Sequence, residues 1–431
     1  MTLEPEGSFL SKPDHVVIIG AGIVGAASAF HCLEAGLQVT LIEPETPGAS
    51  QASSYGNAGW LSSHSVLPPA SPGIWKQVPS WLADPLGPLS VRWRYFPRAL
   101  PWLIRYLTAA WTYPKIERTA HALRTLLAGA PALHQHMAQQ AGVGELIERN
   151  GLLHAFLSRE HFLLDAKAWE IRRKEGVSWQ ELDATALADL EPDLAPKYTF
   201  GVFVAETGSC RNPGAYTAAL IRHAQTRGAT LLHARATGFR IERGSLKAVL
   251  IEGGEVACDK AVIAVGARSK AFAALAGDNV SLETERGYHA VVSGVEAGPR
   301  LPTMFADCKV VVTQMNQGLR VAGQVEIAEA DDTPNWRRAE ILRDHLLTMY
   351  PTLPRNLAPE QIQIWMGRRP STPDGLPCLG LASGSKDIIH AYGHGHVGLV
   401  GSARTGRIVA QLAMGLQPEI DLHPFRPTRF G

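Results

Sequence analysis

The clearest alternation of apolar and polar positions lies near the start of the chain. HVVII (His15–Ile19) is a continuous apolar run, as expected of a strand buried on both faces of a parallel sheet. Apolar and small residues then recur at helical spacing through Leu33, and Gly36 closes that helix. A second apolar run, Leu37 to Ile42, ends at Glu43. Strand, helix and strand predict a βαβ unit.

The period changes further on. Between 61 and about 200 the pattern is mainly helical, as in HALRTLLAGAPALHQHMAQQAG. NPGAYTAALIRHAQTRGA predicts a helix with Asn212 as N-cap, Pro213 in its first position and Gly228 past its end. Strands follow to AVIAVGA, with turns at Gly244 and at Gly253-Gly254. YHAVVSG and KVVVTQMNQGLRVAGQVEI also read as strands, before one helix in PNWRRAEILRDHLLTMYP, bracketed by Asn335 and Pro351. Near the end, Ile388 to Tyr392 is strand-like, Gly393, Gly395 and Gly398 predict a flexible turn, and a helix runs from about Ser402 to Leu412.

Composition narrows the field. In 431 residues the formal net charge is +1, which argues against a nucleic-acid partner, and no apolar run is long enough to span a bilayer. Residues 1–13 read as a loose leader without the basic and apolar regions of a signal peptide. Five scattered cysteines without CxxC spacing suggest a reducing, cytoplasmic setting and no zinc site.

The βαβ unit carries chemistry. Gly20, Gly22 and Gly25 form GxGxxG between strand and helix. The first permits a tight turn, the second lets backbone approach a pyrophosphate, and the third lets helix pack on strand. The free N–H groups at the helix start, around Ile23 and Val24, face that pyrophosphate. Glu43, about 20 residues on, suits an adenosine ribose and disfavours a 2′-phosphate, so the cofactor is FAD or NAD, not NADP.

The segment after Glu43, GASQASSYGNAGW (Gly48–Trp60), favours FAD, since small and hydroxylated residues let the chain run flat along a large planar ligand. Here the chain resembles the D-amino-acid oxidase superfamily of flavoproteins, and within it the bacterial D-amino-acid dehydrogenase branch. The resemblance runs along nearly the whole chain. It implies that Ser53 and Ser54 lie near the pyrophosphate and Asn57, Ala58 and Gly59 near the isoalloxazine. Ala236 would contact the adenine, Gly266 would pass under the FAD, and Gly393, His394, Gly395 and Gly398 would face the flavin pyrimidine edge. The FAD is expected to be non-covalent. His394 and His396 lack a third ligand for a metal.

The expected fold is therefore α/β. A three-layer Rossmann-type FAD-binding domain (14–60, 201–284 and 365–431) is interleaved with an α+β substrate domain (61–200 and 285–364) carrying an antiparallel sheet.

Flavin amine chemistry needs orientation more than acid–base machinery. A substrate carboxylate is best held by an arginine fork. The superfamily places such an arginine before a proline in a Trp-x-Gly-x-Arg-Pro context, and WMGRRP matches it at Arg369, with Arg368 expected to be structural. In TERGYHAVV, strand alternation puts Tyr288 and His289 on opposite faces. We assign Tyr288 to the pocket and keep His289 as the second candidate.

The resemblance implies FAD-dependent oxidative deamination of a D-amino acid by hydride transfer from Cα to flavin N5, yielding an imino acid and then a 2-oxo acid. Cyclic substrates such as D-proline or D-hydroxyproline are the expected preference, with a quinone or respiratory carrier as electron acceptor. The alternatives are a sarcosine-like N-alkyl amino acid oxidase and a flavin-binding subunit of a larger dehydrogenase. SVRWRYFPRALPWLIRYLTAAW, which interleaves aromatics with arginines, is read chiefly as core aromatics beside solvated arginines. It also fits peripheral attachment at the inner membrane face.

Overall fold

A computed structural model describes residues 14–430 except 71, 73–74, 76–85 and 88. The leader (1–13) lies outside the described residues. Two sheets organise the chain. In the first, the strand order is Thr230–Leu232, Gln38–Ile42, His15–Ile19, Lys260–Ile263, Ile388–Tyr392 and Cys378–Leu381. All neighbours are parallel except the last pair.

The uninterrupted apolar character of His15–Ile19 has a direct cause. Val16 and Ile18 pack into one core with the helices Ile23–Glu34, Pro213–Thr226 and Gly398–Ala413. Val17 and Ile19 pack into another, against the antiparallel ribbon Ala236–Glu242, Ser245–Ile251 and Gly254–Ala257. Helices, parallel sheet and ribbon are the three layers. Each such side chain removed from water contributes roughly 1.5–3 kcal/mol.

The second sheet has nine strands among the described residues. Ile362–Ser371, Glu283–Val292, Gly318–Ile327, Val310–Met315 and Thr303–Phe305 pair antiparallel in that order. Leu152–Phe156, Phe200–Val204 and Gln180–Leu182 continue it, and Leu89–Val91 pairs parallel with Gly318–Ile327 as the ninth. The helix Arg337–Met349 covers one face through Leu342 and Leu346.

Three expectations change. Phe200–Val204 and all of Ile362–Ser371 belong to the antiparallel sheet, so boundaries at 201 and 365 cut through strands. The helices Tyr113–Leu127 and Ala130–Gln140 share the core of the nucleotide-side helices through Leu123, Leu126 and Met137. Periodicity marks a strand or helix but does not say which layer it joins. The last helix starts at Gly398, four positions before the expected Ser402, because the glycine turn is taken up into its first turn.

The aromatic–arginine stretch divides. In the helix Phe96–Ala109, Trp102 and Tyr106 are buried, and Trp102 Nε1 donates to the Ser371 carbonyl at 3.1 Å. Trp93, Ile104 and Trp111 face outward. No helix among the described residues is long and apolar enough to cross a membrane.

Candidate active site

Gly20 opens the site. Its φ is +102°, and an added Cβ would lie 2.5 Å from the Ala264 carbonyl oxygen, so the tight turn requires glycine. A Cβ on Gly25 would lie 1.9 Å from the Gly20 carbonyl oxygen, which brings helix and strand together as the spacing predicts. Gly22 leaves open backbone. The Ala21 N–H donates to Glu43 at 2.9 Å, and the Ile23 N–H donates to Ser54 Oγ at 3.1 Å. The glycine turn, the acid and the serine loop thus meet at one helix start.

A cavity of about 1290 Å³ extends from this point. That exceeds the roughly 300–1,000 Å³ usual for one small ligand, and it has room for a dinucleotide and a substrate together. Gly20, Gly22, Ile23, Val24, Glu43, Ser53, Ser54, Asn57 and Ala58 line it, as do Ala236, Gly266, His394, Gly395 and Gly398. Gly25, Gly59 and Gly393 are not in its wall. Gly59 (φ +76°) is backed against the Cys210 carbonyl, where a Cβ would lie at 2.4 Å. Gly393 (φ +84°) turns the chain beside Thr372 and Cys378. Both shape the loops that carry their lining neighbours. The cradle of bare backbone at a helix start, the acid and the elongated cavity fit an FAD.

The WMGRRP strand locks the loop that follows Glu43. Trp365 Nε1 donates to the Ser50 carbonyl at 2.8 Å, and Ser53 Oγ donates to the Arg368 carbonyl. A Cβ on Gly56 would lie 1.9 Å from the Trp365 ring, so only glycine passes beneath it. The strand's last residue, Ser371, forms an isolated bridge with His394 in the glycine turn. This strand is the seam between the two sheets.

The two arginines part at that seam. Arg368 Nε donates to the Ala330 carbonyl at 2.7 Å, and Nη2 pairs with Asp331 at 3.1 Å. Arg369 faces the other way, across from Glu285 in the pairing register. Its polar contact is a 3.5 Å bond from Nη1 to the Gln324 carbonyl, and it has no ion pair within 4 Å among the described residues. Burial pulls the guanidinium below its usual value, with Glu285 opposing. Glu285 itself accepts from Ser371 Oγ at 2.8 Å, and burial raises its carboxyl.

Of Tyr288 and His289, only Tyr288 lines the large cavity. Tyr288 touches the cavity wall, but its ring belongs to the core behind the sheet, with Leu342. Its hydroxyl donates to Glu326 at 2.7 Å and accepts from the Asn335 N–H, so it is not available to a substrate carboxylate. His289 lies outside the large cavity, in a small one behind the loop. There it stacks on Trp365, with centroids 5.0 Å apart, and bonds to the Gly56 carbonyl at 3.1 Å. Burial, with Arg320 nearby, lowers it to about 3. Both residues are bound up in structure because the sheet packs tightly on each face.

Several residues at the site carry no motif. Arg320 is buried and donates to the Tyr55 and Asn57 carbonyls at 3.1 and 2.6 Å, holding the loop at Asn57. Trp60, His64, His154 and Arg172 also line the cavity. His396 lines it too, and desolvation, with Arg369 second, lowers it to about 4. Only His396, in GHGH, stood in a recognisable pattern.

A dinucleotide cradle joined to an antiparallel sheet that presents a half-buried arginine to the same cavity defines a flavoprotein oxidoreductase. The chain belongs to the FAD dependent oxidoreductase family, whose model matches residues 15–412. It is 60% identical to a D-amino-acid oxidase of Bradyrhizobium diazoefficiens, over 96% of this chain and 99% of that one. It is 30% identical to a D-amino acid dehydrogenase of Agrobacterium fabrum, over 96% and 99%. The fold is similar to glycine oxidase from Geobacillus kaustophilus (TM-score 0.72, 22% identity, covering 96% and 99%). It is also similar to L-proline dehydrogenase from P. horikoshii (TM-score 0.71, 20% identity, covering 98% of each chain).

Proposed function

We propose that this enzyme oxidatively deaminates D-amino acids. The observation that carries the reading is Arg369, a half-buried guanidinium with no ion pair within 4 Å among the described residues, lining the cavity beside the flavin loop. A buried cation without a partner is costly, and a substrate carboxylate relieves that cost by forming two charge-assisted bonds. The 60% identity to a D-amino-acid oxidase supports the stereochemical class. The fold does not, since it also serves an L-proline dehydrogenase.

Gly20, Gly22, Glu43, Ser54 and Asn57 would hold the FAD, which when bound accepts two electrons from the substrate. The protein's own part is geometric. Arg369 anchors the carboxylate and so fixes the direction of Cα–H. Gln324, which lines the same wall, places its carbonyl against Arg369 and limits the tilt of the fork. The start of the last helix, at Gly398, offers positive potential to whatever charge develops there. The imino acid product hydrolyses in water without a protein group. No cysteine lines the cavity among the described residues, and our reading keeps the FAD non-covalent, held by the backbone N–H groups at the helix start with Glu43 and Ser54.

The electron acceptor is oxygen or a membrane quinone. Outward Trp93, Ile104 and Trp111 with exposed Arg94 and Arg105 favour attachment to an anionic membrane surface on the cytoplasmic side, which suits a quinone. Preference for D-proline or D-hydroxyproline rests on resemblance alone.

The test is anaerobic mixing of the yellow holoenzyme with D-, L- and N-methyl amino acids while flavin absorbance is followed. Bleaching by D-amino acids is expected, and admitting air then distinguishes an oxidase from a dehydrogenase. Arg369→Lys should lower kcat/KM about 100-fold with FAD retained. Unchanged turnover removes Arg369 from the site. Bleaching by sarcosine but by no D-amino acid would establish the N-alkyl alternative. No bleaching by any amine would leave the flavin-subunit reading.

A further inference from the structure

Arg369 accounts for one carboxylate, yet the cavity carries more positive charge than one carboxylate requires. Away from the dinucleotide end it is lined by Arg172, Lys309, Arg368 and Arg369. Its two lining carboxylates, Glu43 and Glu45, both belong to the dinucleotide end. Arg368 is satisfied by Asp331 and the Ala330 carbonyl.

Arg172 is not satisfied in this way. It lies on the helix Ala166–Lys174, with Nε donating to the His64 carbonyl at 3.3 Å and its guanidinium 4.6 Å from the Trp169 ring centroid. Its terminal nitrogens make no hydrogen bond, and it has no ion pair within 4 Å, among the described residues. Desolvation lowers it to about 10, with distant Asp165 opposing. The stack on Trp169 and the bond to His64 fix the plane of the fork and leave its outer edge to the cavity.

The neighbours reinforce this. His64 Nε2 and His154 Nε2 are 2.7 Å apart, and burial keeps both rings neutral, so neither competes as a counter-ion. His154 is opposite Met304, which is opposite Val311, and all three line the cavity from one face of the sheet. Lys309 stands at the same wall, exposed, with a loose 3.8 Å contact to Asp165.

We propose that Arg172 is a second carboxylate receptor and that the enzyme prefers acidic D-amino acids, of the D-aspartate and D-glutamate type. This rests on the reading above and names the substrate class of that same site. Arg369 holds the α-carboxylate, and Arg172, assisted by the field of Lys309, takes the side-chain carboxylate. The reaction is otherwise unchanged. The Cα hydrogen would leave with its bonding electron pair as hydride to bound, oxidised FAD, the amine would give one proton to solvent, and the nitrogen lone pair would form the C=N bond. The side-chain carboxylate is a spectator.

The experiment uses the holoenzyme, comparing anaerobic flavin bleaching by D-aspartate, D-glutamate, D-alanine and D-proline. Binding of succinate and butyrate is read in parallel from the flavin absorption spectrum. Acidic substrates should be favoured at least about tenfold in kcat/KM, more at low salt, and succinate should bind more tightly than butyrate. Arg172→Met should erase both preferences while changing D-alanine turnover less than about threefold. Lys309→Met, at an exposed position, should weaken the acidic preference and its salt dependence even if Arg172→Met does not fold. Equal use of D-alanine and D-aspartate by the unaltered enzyme overturns the proposal. Equal loss on both substrates in Arg172→Met also overturns it. Should no D-amino acid bleach the flavin, the proposed function fails, and the succinate comparison alone then decides whether Arg172 receives a second carboxylate.

Discussion

Gly287 and Arg369 occupy the same volume: a Cβ built on Gly287 would lie 2.4 Å from Arg369 Cζ. The guanidinium folds over bare backbone on the neighbouring strand, where Gly287 is opposite Gly367. Gly287→Ala should push the fork aside and leave the fold intact, because the obstructing group is the end of a side chain. Expected are a full complement of FAD, a nearly unchanged Tm and a loss of about 100-fold in kcat/KM for D-amino acids. Steady-state kinetics with the flavin content measured checks it. Unaltered kinetics would mean that the position of Arg369 is irrelevant to catalysis.

Arg320 predicts a different phenotype. Its bonds to the Tyr55 and Asn57 carbonyls are charge-assisted and buried, worth roughly 1.5–3 kcal/mol each in such settings. Arg320→Met should loosen the loop and raise the FAD dissociation constant at least about tenfold. Flavin release followed by fluorescence measures this.

Gly25 and Gly36 make a matched pair of controls. At Gly25 a Cβ meets the Gly20 carbonyl at 1.9 Å, a clash between backbones that no rotamer relieves. Gly25→Ala should yield protein without flavin, or none that is soluble. Nothing lies within 4 Å of a Cβ on Gly36, so Gly36→Ala should keep its flavin and lose about 1–2 kcal/mol through its φ of +80°. Thermal melts and flavin-to-protein absorbance ratios separate the two.

Glu191 predicts a pH dependence of stability. Its carboxylate accepts from the Arg300 and Leu301 N–H groups at 2.9 and 2.7 Å, but burial outweighs these bonds and pushes it up to about 7. The unfolded value is about 4.3. The folded state therefore favours the protonated form. Its contribution is complete below about pH 4.3 and is lost as pH rises through 7. Tm should fall across that window, and Glu191→Gln should flatten the fall. An identical pH profile in the variant would assign the dependence to other groups.

Much of the nucleotide half was legible in the chain. His15–Ile19, the glycines and Glu43 are neighbours in sequence and carry their chemistry in backbone shape, which local residue types dictate. The N-cap at Asn212 was legible for the same reason, and its side chain does accept from the Ala215 N–H at 3.0 Å. The substrate half was less so. Tyr288 does line the cavity, as alternation suggested, but alternation says nothing of its hydroxyl, which Glu326 and the Asn335 N–H take up. Arg172 is a solvent-like arginine in AKAWEIRRK until folding lays it on Trp169 under His64.

Sequence by itself determined the βαβ unit, the dinucleotide cradle and the opposed directions of Arg368 and Arg369. These depend on φ, on period and on residues close along the chain. Tertiary structure decided which sheet each strand joins, that Trp365 clamps the loop at Gly56, and which cations have no counter-ion among the described residues. Those outcomes depend on pairing and burial between segments hundreds of residues apart. Desolvation is a property of the assembled surroundings, and on our proposal it is what would make a half-buried arginine a receptor for carboxylate.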